Sequence, residues 1–88
     1  LISLNVLGET YYLTQFTVGE YFAANIKSDD PQDAMLGMVS LSLANEDGSR
    51  RFPDIAEGRT FVSSLPLGAG VALLNAVTEM QGMSEKKD

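Results

Sequence analysis

Between Ile2 and Val6 the side chains alternate: Ile2, Leu4 and Val6 fall on one side of an extended chain, Ser3 and Asn5 on the other. That period of two marks a half-buried strand. Gly8 and Glu9 follow as a turn, and the aromatic, threonine-containing stretch from Tyr11 to Phe16 predicts a second strand, giving a β-hairpin over about 2–16. Two strands alone are marginal in water, so this ribbon must lie on helices or on another chain.

The period changes at "TVGE". Thr17 can cap the amide of Glu20, and Glu20 can reach back to Thr17, with Phe16 placed to staple onto Tyr21. Val18, Phe22 and Ile26 then share one face and Glu20 and Lys27 the opposite one, which predicts a helix over about 18–27. A second start follows at once: Asp30 as cap, Pro31 at the first helical position and Asp33 in the first turn. This helix is expected over about 31–44. Met35, Leu36, Met38, Val39, Leu41 and Leu43 surround its axis with only small serines between them, as in a central helix touched on several sides. "VSLSL" also alternates as a strand would, but Pro31, its cap and Ala34 favour one continuous helix.

Asn45-Glu46-Asp47-Gly48 ends that helix, with Gly48 suited to a left-handed position. A short helical turn is expected over about 54–57, weakened by Gly58, with Phe61 and Val62 as inward anchors beyond it. Ser64 and Pro66 mark the start of a last helix over about 66–81, ended by Gly82. Its predicted inner side is Leu67, Val71, Leu74 and Val77, with Leu73 and Met80 at the edge, while Asn75 and Glu79 point the other way. Gly68 and Gly70 weaken it, so close approach to a neighbouring element is expected there. The sum is an α+β chain: a small, mostly helical single domain over 1–82 with an N-terminal β-hairpin, three main helices and a short helical turn, followed by a polar tail over 83–88.

Composition narrows the chemistry. The chain has no cysteine and no histidine, which removes thiolate nucleophiles, disulfides and the commonest metal ligands and acid–base groups. Its net charge is −6, and residues 28–60 alone hold seven acids against three arginines. Such a field opposes nucleic acid and anionic lipid, and no run of 18 apolar residues offers a membrane span. The chain opens at Leu1 rather than Met, which raises the expectation of a fragment from something longer; "LISLNVL" lacks the basic flank and cleavage pattern of a signal peptide.

The clusters with chemical interest have plainer explanations. Asp29, Asp30 and Asp33 lack the glycine and terminal glutamate of a calcium loop and suit helix capping. Glu46, Asp47, Asp54 and Glu57 could pair for acid–base work only in a pocket that perturbs them, and a loop between Gly48 and Pro53 is expected to be wet. "PLGAG" lacks the lysine and hydroxyl of a phosphate loop. Tyr11, Tyr12 and Phe16 have no positive groove beside them for base stacking. No catalytic, cofactor or metal residue is expected, and the chain reads as non-enzymatic. What remains is docking through the charged loop, with Phe52 as an apolar anchor beside Arg50 and Arg51.

The stretch "VSLSLANEDGSRRFPDIAEG…LPLGAGVALLNAVTEMQGMSEK", Val39 to Lys86, resembles the tail assembly chaperones of long-tailed bacteriophages and related prophages. The matching pieces are Asn45 to Gly48, Arg51-Phe52, Asp54 to Glu57, Leu65-Pro66 and Met80 to Met83, with Leu13 and Phe16 to Glu20 matching an "LTVGE"-type start in the front half. Gly58, Gly68, Gly70 and the short link from Lys27 to Pro31 depart from that pattern. The resemblance implies a cytoplasmic, non-enzymatic chaperone that binds the tape measure protein and keeps it soluble until tail tube protein polymerises around it. Some members have a frameshifted longer form that recruits the tube protein. For such a role the expected client surfaces are the Arg50, Arg51 and Phe52 loop and the last helix with Asn75 and Glu79. Self-association into a homo-oligomer is compatible with so thin a core. The alternative is a tail completion or connector subunit retained in the virion.

Overall fold

The computed structural model describes residues 1–27 and 29–82. The polar tail expected over 83–88 lies outside the described residues. Strands β1 (Ile2–Val6) and β2 (Glu9–Leu13) pair antiparallel, with Ile2 opposite Leu13 and Val6 opposite Glu9. The turn between them is Leu7–Gly8, one residue earlier than the sequence predicts, and both residues have positive φ (53° and 84°). That pairing matches the right-handed twist of the flanking strands and suits glycine far better than leucine.

Helix α1 (Val18–Ala23) starts where expected but is shorter than the predicted 18–27. Asn25 adopts φ 56° and turns the chain, so that Ile26 leaves the helix and packs on Gly37. Helix α2 (Pro31–Ser42) is capped by Asp30, whose carboxylate accepts from the amides of Gln32 and Asp33. Every residue from Gly37 to Ser42 is buried, as the ring of apolar side chains predicts for a central helix.

The end of α2 departs from expectation. The helix stops at Ser42, and Leu43–Ala44 form a third strand, β3, antiparallel to β2 with Leu43 opposite Leu13 and Ala44 opposite Tyr12. The sheet order is β1-β2-β3. The Ser42 hydroxyl donates to the Thr14 carbonyl (3.0 Å) and the Thr14 amide donates to the Ser42 carbonyl (2.8 Å), which stitches the helix end to the sheet. "VSLSL" thus serves both periods, helical to Ser42 and extended after it.

The turn at Asn45 to Gly48 closes as expected, with Gly48 at φ 92° and its amide donating to the Asn45 carbonyl. Helix α3 (Ile55–Ser63) is a nine-residue helix and not the short turn over 54–57. Asp54 caps it, and Gly58 does not weaken it into a loop because Gly58 is the buried contact with α2. Phe61 and Val62 therefore sit inside the helix.

Helix α4 (Leu67–Met80) also lies on α2, with Ala69, Gly70, Leu73 and Val77 buried. The predicted inner face is corrected: Leu67 and Val71 are 79% and 43% exposed. The helix turns its smallest residues toward α2, and a Cβ at Gly70 would lie 3.2 Å from Met35 Cε. Gly68, expected in close approach, has nothing within 4 Å. Leu13, Val39, Leu43, Val62, Leu73 and Val77 form the core where sheet and helices meet.

Candidate partner-binding site

The connection from β2 into α1 builds an apolar concavity. Thr17 Oγ1 accepts from the Glu20 amide (3.1 Å), and Glu20 Oε1 accepts from the Thr17 amide (2.8 Å). Phe16 stacks on Tyr21 with ring centres 6.2 Å apart and nearly parallel planes, and Tyr21 meets Phe22 edge-on at 5.9 Å. Gln15 Nε2 donates to the Met80 carbonyl (2.8 Å), tying this corner to the end of α4. Between α1, α2 and the end of α4 lies a groove of about 360 Å³ whose lining includes Phe16, Thr17, Val18, Tyr21, Phe22 and Met38, with Gln81 at the α4 end. Val18 and Phe22 are 71% and 70% exposed at its edge.

No charged side chain lines that groove. The nearby end of α4 has no basic residue in its last turn, so the negative end of the helix dipole is not offset there by a cation of the helix's own. Gln81 Nε2 is buried without a hydrogen-bond partner among the described residues.

The predicted loop residues each contact their own chain, although Arg51 stays exposed. Arg50 Nη2 pairs with Glu20 Oε2 at 2.7 Å, bridging the loop to α1. The Glu20 carboxyl is held below its ordinary value first by the Thr17 backbone N–H and then by the Arg50 charge, against the opposing effect of desolvation. The Arg51 guanidinium lies 4.6 Å from the centre of the Phe61 ring and 5.5 Å from that of Phe52. Phe52 packs on Phe61 with ring centres 5.1 Å apart, so this aromatic is half-buried against its own chain. Asn75 and Glu79 are exposed one turn apart on α4, on the same side as Leu67 and Val71. No hydrogen bond or ion pair among the described residues joins them to the Arg50–Phe52 loop.

Comparison with protein families, with curated proteins and with solved structures finds no match. The role of the chain is therefore read from its own chemistry. Asp33 accepts from the Lys27 amide (2.7 Å) and pairs with Arg59 (3.3 Å), while Asp30 caps α2. Asp47 Oδ1 accepts from the amide and hydroxyl of Ser49, and these bonds hold its carboxyl below the ordinary value. Among the described residues no group of three or more acids is arranged to hold a metal ion, and no helix is long and apolar enough to cross a membrane.

The sequence placed Val18 and Phe22 on one face with Ile26 but did not assign that face to a partner. The staple held the missing signal. Once Phe16 stacks on Tyr21 and Tyr21 faces the core, Val18 and Phe22 lie outside that contact on so short a helix.

Proposed function

We propose that this chain is a non-enzymatic tail assembly chaperone of a long-tailed phage or prophage. In the host cytoplasm it binds the tape measure protein, keeps it soluble and helps to bring tail tube subunits to it. The resemblance of Val39 to Lys86, and of the "TVGE" start, to that family motivates the proposal. The observation that carries it physically is the groove beside α1, with Val18 and Phe22 exposed at its edge.

A helical client presents apolar side chains every three or four residues, and a shallow apolar groove covers such a stripe. Covering an exposed Val or Phe side chain contributes about 1.5–3 kcal/mol. The negative end of α4 adds attraction for a lysine or arginine beside that stripe. The net charge of −6 keeps the loaded complex from clumping.

Coexpression tests the proposal. A tape measure fragment that is insoluble alone should appear in the soluble fraction with this chain and copurify with it, and mature particles should lack the chain by mass spectrometry. A client equally insoluble in its presence, or a chain retained in virions, would refute the proposal.

A further inference from the structure

Among the described residues α1 is the one helix with no buried residue; Tyr21 is half-buried and the rest are exposed. Hollows flank it on two faces. The groove of about 360 Å³ runs along Val18, Tyr21 and Phe22. A second hollow, of about 300 Å³, runs along Glu20, Ala23 and Ala24, which the helical repeat places on the opposite face. Both reach down to α2, the first at Met38 and the second at Leu41. Leu41 is 2% exposed yet stands apart from the core cluster that holds Met38 and Val39. It shares its hollow with α1 and with Pro53 and Ile55 at the start of α3.

The segment is tied firmly at its two ends. Before it, Thr14 exchanges hydrogen bonds with Ser42. After it, the Lys27 amide donates to the Asp33 carboxylate (2.7 Å), and Ile26 fills the space that a Cβ on Gly37 would need. Between these ties α1 itself has one polar contact with the rest of the chain among the described residues, the ion pair of Glu20 with Arg50.

We propose that α1 is a hinged strap that lifts from α2 as a unit, with the Glu20–Arg50 pair as its latch, and uncovers Leu41 while the sheet and the α2–α3–α4 packing stay folded. A helix bordered by hollows on two faces has few packing contacts to lose, and such elements open at lower free energy than the whole chain. The capping box travels with the strap, because Thr17 and Glu20 bond each other, so α1 stays helical as it lifts. The latch is partly exposed on both sides, and an exposed ion pair is weak enough to release. Lifting joins the two hollows into one apolar trough along Met38 and Leu41. The device does not rest on the client reading, since it is tested without any partner.

Thiol labelling of the full chain supplies the test. The chain has no cysteine, so Leu41→Cys and, separately, Leu73→Cys each introduce a single reporter. Each maleimide labelling rate is compared with the rate that global unfolding of the same variant allows, taken from its urea unfolding. Position 41 should label about tenfold or more faster than global unfolding allows, whereas position 73, in the core, should follow global unfolding. Arg50→Gln should speed labelling at position 41 by about two- to fivefold relative to global unfolding and leave position 73 on its global rate. Glu20→Gln should do the same, because glutamine keeps the capping box and loses the charge. Peroxide oxidation of Met38, followed by mass spectrometry in the chain without any thiol, should respond to Arg50→Gln in the same direction and covers a Leu41→Cys chain that does not fold. Labelling at position 41 no faster than global unfolding allows would overturn the strap. So would faster-than-global labelling at position 73. Rates at position 41, or at Met38, that ignore both Arg50→Gln and Glu20→Gln would overturn the latch.

Discussion

Gly58 of α3 rests on Ser40 of α2 so closely that a Cβ added to the glycine would lie 2.7 Å from the serine's own Cβ. The contact brings these two helices together at a buried serine whose hydroxyl already donates to the Leu36 carbonyl (2.6 Å). Gly58→Ala must push α3 away. Overpacking of this kind costs about 1–3 kcal/mol, and helix propensity returns up to about 1 kcal/mol, so a net loss of about 1–2 kcal/mol is expected in urea unfolding. Ser40→Ala should not relieve it, because the serine Cβ remains.

Gly68 provides the opposite case. Nothing lies within 4 Å of its absent side chain, so Gly68→Ala should raise stability by about 0.5–1 kcal/mol through helix propensity alone. The comparison is made by urea unfolding.

Leu7 sits at φ 53° in the hairpin turn while 73% exposed, so its side chain contributes little burial and its backbone is strained. Leu7→Asn replaces it with a residue that tolerates this conformation and forms the favoured Asn-Gly pair with Gly8. An increase in stability of about 0.5–1 kcal/mol is expected, read as a higher midpoint in thermal unfolding.

Acid should weaken the fold partly through Glu20. Its folded carboxyl lies below the ordinary 4.5, because the ionised form accepts the Thr17 N–H and faces Arg50. A pKa lowered on folding contributes stability that is fully present above the unfolded value and lost as pH falls through the folded one. The Glu20 contribution should therefore begin to fall near 4.5 and vanish below the folded pKa. Asp47 acts in the same sense from 3.8 through Ser49. Thermal unfolding across pH 7 to about 2 should show a shallower acid decline in Glu20→Gln than in wild type. Equal slopes would mean that the Glu20 carboxylate does not gain on folding.

The features legible in the sequence were those decided within a few residues. The Thr17–Glu20 box, the Asp30–Pro31 start and the Gly48 turn depend on short-range hydrogen bonds and backbone preferences, and all form as their spacing predicts. Features settled across the chain were hidden. Leu43 and Ala44 become a strand only because β2 offers an edge and Thr14 exchanges hydrogen bonds with Ser42. Gly58 weakens a helix by propensity yet permits this one by contact with Ser40. On α4, hydrophobicity alone favoured Leu67 and Val71 as inner residues, whereas close approach to α2 selected Ala69 and Gly70. Phe52 was legible as an apolar group in a charged loop, but its neighbour Phe61 was needed to see that the ring already has a partner.

The α1 corner bears most directly on the proposed client. Thr17→Ala should cost about 1 kcal/mol by removing the cap, and it should loosen client binding by disordering the residues that carry Val18 and Phe22 at the groove.

The decisive measurement is a calorimetric titration of the chain with a soluble fragment of a tape measure protein, the client the proposed role assigns to it. Wild type should bind with a dissociation constant of about micromolar or tighter, Val18→Asp/Phe22→Asp should weaken binding about tenfold or more, and Leu67→Asp should bind as wild type does. No binding of wild type to any fragment would contradict the chaperone account, and equal binding by the Val18/Phe22 variant would contradict the groove.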